Sequence, residues 1–220
     1  MTTPNIPTRP RYSADDESIT EWVMLHKREV TWAVIALAVI VLGLWYYERS
    51  QTLRAQRAET QYFQARQAAT TGNVLLAVSD LQKVATRYEG TQAGAQAALT
   101  AAQLNYDQKK YKEGIAVLKQ AESKAPGDFK ASIHVLEAAG YEQLNDFAGA
   151  AEQFKLAATL TRFPADKTEY QASAARDYQA GGKKAEAIAI WTELAKDDTG
   201  PMAAEAKVRL GELTAKPITR

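Results

Sequence analysis

The side chains with the most chemical potential in this chain are Gly181-Gly182-Lys183-Lys184, the carboxylate pairs Asp15-Asp16 and Asp197-Asp198, the lysines Lys109-Lys110 and Lys112, and the histidines His26 and His134. Glycines ahead of a lysine can cradle a phosphate, but a phosphate loop spaces its glycines by four residues and follows the lysine with Ser or Thr. Here the glycines are adjacent and Ala185 follows Lys184, so the run reads as a turn between helices. Adjacent carboxylates in a turn or a tail have no pocket to shift their pKa values, which leaves solubilising or capping roles. The lysine cluster reads as a solvated corner, with anionic headgroups as the alternative contact. The two histidines lie far apart, which argues against a His-based metal site, and His134 reads as a packed or rim residue.

Composition narrows the classes further. There is no cysteine, which removes disulfides, thiolate metal sites and cysteine nucleophiles together. Basic residues number 27 against 26 acidic, a net charge of +1, so there is no electrostatic footprint for nucleic acid. None of the patterns G-x-S-x-G, H-E-x-x-H or G-x-G-x-x-G occurs. The expectation is a protein without catalytic, cofactor or metal residues. Only a buried, strongly perturbed titratable pair would bring an enzyme back into consideration.

The elements that must position any site begin with Val30 to Tyr47, 18 residues without a charge or a proline. As a helix rising about 1.5 Å per residue it would be about 27 Å long, close to the roughly 30 Å of a hydrocarbon core. Trp32 at one end and Trp45, Tyr46 and Tyr47 at the other stand where headgroups would lie. Glu48-Arg49-Ser50 follows in place of the small residues of a cleavage site, so the segment is expected to stay attached as a transmembrane helix, residues 30–47. Charge counts on its two sides do not decide orientation, although Lys27-Arg28 on a short tail leans toward a cytoplasmic N-terminus. Residues 1–17, with Pro4, Pro7 and Pro10, read as a disordered tail. Residues 18–29 start with capping-box spacing, Ser18-Ile19-Thr20-Glu21, and read either as an interfacial helix or as a plain lead-in to the span.

Beyond a helical linker at 48–57 the chain is rich in alanine, with breakers at Gly72-Asn73, Glu89-Gly90, Pro126-Gly127, Asn145-Asp146, Phe163-Pro164, Gly181-Gly182 and Gly200-Pro201. The class is all-α. Small residues recur at Ala77, Gly114, Ala150 and Ala187, separated by 37, 36 and 37 positions. Four positions after each stands Leu81, Leu118, Phe154 or Trp191, and three further on Val84, Ala121, Ala157 or Leu194. Twelve positions before each lies Ala65, Ala102, Ala138 or Ala175. A small residue lets a partner helix approach and the next ridge fills its groove, so the recurrence predicts an α-solenoid of stacked helical hairpins over 58–200. Residues 201–220 add a capping helix and a tail.

This pattern resembles the tetratricopeptide repeat, with Pro126 closing the second repeat and Tyr141 and Tyr178 at the family's first-helix tyrosine position. It departs at the family's tryptophan position, filled by Gln61, Ala98, His134 and Gln171, and at its leucine position, filled by Gln64, Ala101, Glu137 and Ala174. The resemblance implies a partner-binding groove at Tyr62, Arg66, Gln103, Tyr106, Glu142, Gln143, Arg176 and Gln179. The whole layout, tail, span and four repeats, resembles the ancillary subunit family of the bacterial Sec translocon, through Gly94 to Gln103 and through Gly182 to Ala187, Trp191 and Pro201 to Leu213. That resemblance implies a single-pass protein of the bacterial inner membrane with a cytoplasmic N-terminus and a periplasmic repeat domain. Its expected partners are the translocon, a membrane-anchored periplasmic chaperone and, through the span, the lipid bilayer. A scaffold for envelope assembly or cell division is the alternative the residues leave open.

Overall fold

A computed structural model describes residues 22–215. The expected tail at 1–17, the capping box at 18–21 and the end of the chain at 216–220 lie outside the described residues. The chain divides into two units, Met1–Thr52 and Leu53–Arg220.

Within the first unit, residues 22–25 form a helical turn in which the Trp22 and His26 rings stack at 4.9 Å. Helix α1, Lys27–Thr70, then carries the whole apolar stretch. Trp32, Leu37, Ile40, Leu44 and Trp45 are all exposed, as is every other residue from Thr31 to Tyr47. By length and composition this helix is sufficient to cross a membrane, and none of its apolar window is buried against protein.

The second unit is built from helices alone among the described residues. After the C-terminal part of α1 come α2 (Val74–Arg87), α3 (Gln92–Asp107), α4 (Tyr111–Glu122), α5 (Gly127–Gln143), α6 (Phe147–Leu160), α7 (Pro164–Ala180), α8 (Lys184–Leu194) and α9 (Ala203–Thr214). They pair as hairpins α1–α2, α3–α4, α5–α6 and α7–α8, with α9 against α8.

One turn geometry is reused inside every hairpin. The backbone enters the left-handed region at Gly72 (φ 86°), Lys109 (φ 61°), Asn145 (φ 59°) and Gly182 (φ 76°). The next amide then donates back across the helix end, Asn73 to Ala68 O, Lys110 to Asn105 O, Asp146 to Tyr141 O and Lys183 to Tyr178 O, at 2.8–3.0 Å. This satisfies a carbonyl that the helix would otherwise leave open. Asn73 and Asp146 each also cap the following helix, accepting from the amides of Leu76 and Gly149 at 3.2 and 2.9 Å.

Packing follows the small-and-large register. Ala65, Ala102, Ala138 and Ala175 on the first helices are buried, as are Ala77, Gly114, Ala150 and Ala187 on the second. Leu81, Leu118, Phe154 and Trp191 fill the spaces so created. Each contributes roughly 1.5–3 kcal/mol by leaving water. Gly114 and Gly140 are tight, because an added methyl at either would run into the Tyr106 ring. Buried side chains from successive hairpins join in common clusters, so each hairpin covers the apolar side of the one before it. In the last cluster Ala206 and Leu213 of α9 cover the end of the stack.

Candidate partner-binding face

The first helices α3 and α5 are neighbours, and each first helix turns one face away from its own second helix. That inner face is traced by side-chain contacts between consecutive hairpins. Tyr62 Oη lies 3.3 Å from Thr100 Oγ1. Farther along, Arg176 donates through Nε and Nη2 to both Glu205 carboxylate oxygens of α9 at 2.9 and 2.7 Å, and through Nη1 to Glu169 at 3.2 Å.

The residues expected to line this face divide by burial. Arg66, Gln103 and Gln143 are exposed, and Glu142, Arg176 and Gln179 are half-buried. Tyr62 and Tyr106 are instead core residues, 8% and 9% exposed. Tyr62 fills space between α1 and α3 beside Ala97 and Ala101, and Tyr106 reaches over Gly140 to donate its hydroxyl proton to Leu136 O at 3.0 Å. Their rings hold hairpins together, so they present little surface to a partner. Arg176 is occupied by its two carboxylates, which hold it firmly protonated. An aromatic outside that set is exposed: Phe63, at 62%, three residues before Arg66 and hence on the same side of α1.

Two further groups of titratable side chains are buried, and His134 is packed as its sequence reading suggested. His134 and Glu137, which stand at the tryptophan and leucine positions of the repeat pattern, are 3% and 1% exposed. His134 Nδ1 lies 2.8 Å from Gln153 Oε1 and 3.8 Å from Glu137 Oε2, and its Nε2 lies 3.5 Å from Glu122 Oε1. Glu137 Oε1 has no hydrogen-bond partner. Burial and, after it, the Glu122 charge push the Glu137 carboxyl up to about 7. Asp177 on α7 is 6% exposed and its Oδ2 also lacks a partner. Burial and, after it, the charge of Glu142 push it up to about 7. This is a perturbed pair of the kind that could bring catalysis back, with Asp177 Oδ2 closed off from solvent and Glu142 half-buried.

The other sites of possible chemistry resolve into structure. Lys183 is the residue just before α8, and Lys109 is the left-handed turn residue of its hairpin. Asp198 pairs with Lys207 at 2.6 Å, and Asp197 accepts from Thr199 within its own turn. No group of carboxylates and histidines suited to a metal ion occurs among the described residues. A cavity of about 860 Å³ opens between the second helices α2 and α4, walled by Gln82, Lys83, Glu113 and Gln120 over Ala85, Ala116 and Val117. It therefore lies away from the inner face.

The tetratricopeptide repeat-like domain family matches residues 21–187. No curated protein matches the chain. Among solved structures, a Podosopora anserina structure of nearly identical kinesin light chain TPR-like repeats superposes with a TM-score of 0.52 at 17% identity, covering 71% of this chain and 85% of that one. A point-substituted form of the same Podosopora anserina protein gives 0.50 at 17% identity, covering 71% and 84%. A thermophilic TPR protein from Thermus thermophilus gives 0.44 at 22% identity, covering 81% and 95%.

Proposed function

Because the chain belongs to the tetratricopeptide repeat-like domain family, a family of protein-interaction scaffolds, we propose that its inner face binds protein partners while α1 holds that face beside a bacterial inner membrane. The observation that carries this reading is the combination of an apolar, unburied helix with a stack of hairpins that leaves Phe63, Arg66, Gln103 and Gln143 free for contact. No catalytic family is indicated, and the matched family is one of interaction modules.

The finer reading is an ancillary component of the Sec translocon that passes exported chains to a membrane-anchored periplasmic chaperone. It is supported by the order of tail, span and repeats and by the similarity to that subunit family in Gly94 to Gln103 and Gly182 to Leu213. In this reading the N-terminus is cytoplasmic and the repeats are periplasmic. Tethering works physically without tight binding, because a fixed anchor raises the effective concentration of the face near an exit pore. Crosslinking in intact membranes with identification of the adducts tests it. Translocon subunits or a periplasmic chaperone are expected. Recovery of envelope-assembly or division proteins in their place would transfer the role to a scaffold. A reporter fused after Arg220 is expected to sit in the periplasm, and a cytoplasmic reporter would overturn the topology.

A further inference from the structure

We propose that the inner face of the first hairpin takes a partner's carboxylate on Arg66 and an apolar side chain of the same segment against Phe63, so that the face recognises an acidic, apolar peptide. The site rests on the partner-binding reading of that face. The far end of the stack shows the chemistry already made. Arg176 on α7 is the counterpart of Arg66 on α1, reached through the repeat spacings of 37, 36 and 37 positions. It donates through Nε and Nη2 to both Glu205 oxygens of α9 at 2.9 and 2.7 Å. Its Nη1 reaches Glu169 at 3.2 Å and Ser173 Oγ at 3.3 Å, and Met202 Sδ lies 4.0 Å from Nη2. A guanidinium fork holding both oxygens of one carboxylate is a strong, shape-specific contact.

The first hairpin repeats that set without its acceptor. Glu59 and Phe63 stand where Glu169 and Ser173 stand in the fourth. Glu205 comes from the next helix of the inner row, 29 positions beyond Arg176. From Arg66 the same step arrives on α3 at Ala95 and Gln96, 29 and 30 positions on, and neither is acidic. The one carboxylate of α3, Asp107, accepts from Gln103 at 3.1 Å near the other end of that helix. Asp80 on α2 is paired with Lys83 at 2.9 Å. Arg66 is exposed and takes part in no ion pair among the described residues. A carboxylate at Glu59 does not fill its capacity, because Arg176 holds Glu169 through Nη1 alone and keeps Nε and Nη2 for Glu205.

Charge complementarity names the occupant. An unpaired guanidinium attracts an anion, and the anion that this repeat position takes within the chain is a carboxylate. A free anion would use Arg66 alone. The Phe63 ring, 62% exposed one helical turn away, selects an anion carried on a segment with apolar side chains. At the fourth repeat the corresponding Ser173 and the thioether of Met202 both lie against the arginine that holds Glu205, so acid and apolar groups of one segment already share this position. Arginine and aromatic side chains are also the ones that dominate interface energies.

The experiment uses the full chain in phosphatidylcholine nanodiscs and two fluorescein-labelled probe peptides, Glu-Leu-Glu-Phe-Glu and its amide counterpart Gln-Leu-Gln-Phe-Gln, followed by fluorescence anisotropy. The acidic probe is expected to bind about tenfold or more tighter than the amide probe. Arg66→Gln should erase that ratio. Arg66→Lys should keep part of it, since lysine retains the charge without the fork. Phe63→Ala should weaken both probes alike. Equal affinity of the two probes for the wild-type chain, or a ratio that survives Arg66→Gln, would overturn the site. A photoreactive residue at Gln103 separates that failure from failure of the inner face as a whole. Capture of both probes to the same extent would leave a peptide-binding face in which Arg66 has no part, and capture of neither would remove the face and this site with it.

Discussion

Glu137 stands where the repeat pattern resembled by this chain carries leucine, and the structure encloses it as it would a leucine, 1% exposed. The unfolded carboxyl releases its proton near 4.5 and the folded one near 7, so stability falls as pH rises between those values and is flat outside them. Glu137→Leu should remove its share of that slope and raise stability at pH about 8 by on the order of 2 kcal/mol, read from urea midpoints at a series of pH values. An unchanged slope would mean that the carboxyl reaches water. Among the bulky core residues, Trp191→Ala and Phe154→Ala should each cost roughly 3–5 kcal/mol. Calorimetry showing near-native melting of both would break the packing register. The register of these two was legible because size alternates along the helix with the repeat. The burial of Tyr62 and Tyr106 was not, since a first-helix side chain on the seam between hairpins can point inward or across to the next hairpin, and sequence spacing alone does not choose. Glu142 and Asp177 were recoverable in principle, because they occupy the places that Tyr106 and Gly140 fill one repeat earlier.

At the scale of elements, the turns were the most readable feature. The breakers Gly72-Asn73, Asn145-Asp146 and Gly181-Gly182 mark three of the four left-handed positions inside hairpins, and Glu89-Gly90 marks another between hairpins, residues suited to positive φ by lacking a Cβ or by bonding locally. Lys109 is the exception, because lysine has no such advantage and shows only by its place in the 37, 36, 37 spacing shared by residues 72, 109, 145 and 182. Lys109→Gly should therefore stabilise the repeat unit by about 1 kcal/mol, relieving the left-handed strain minus the entropy glycine adds to the unfolded chain. A thermal melt that is unchanged or lower would show that the Lys109 side chain contributes more than its backbone costs. Helix α1 combines two roles that the sequence reading separated into span, linker and first repeat helix. It carries an apolar surface with no protein cover and, beyond it, Ala58, Tyr62 and Ala65 in the first core cluster.

At the scale of the whole molecule, the stacked hairpins of the repeat unit supply an extended surface. On the inner face Arg176 is held by Glu205 and Glu169, while Arg66, Gln103, Gln143 and the Phe63 ring stay exposed. The architecture was legible because four copies of one pattern restrict the fold far more than any single helix does. A partner's identity is not encoded that way, since the exposed inner residues obey no packing constraint and differ from hairpin to hairpin. The most direct test of inner-face recognition places a photoreactive residue at Gln103 or Gln143 on the inner face, and at Lys83 or Gln120 on the walls of the opposite cleft, in membranes kept intact. Defined protein adducts from the inner pair, and none from the cleft pair, are predicted. Adducts confined to the cleft pair, or an inner face that crosslinks to nothing, would contradict it.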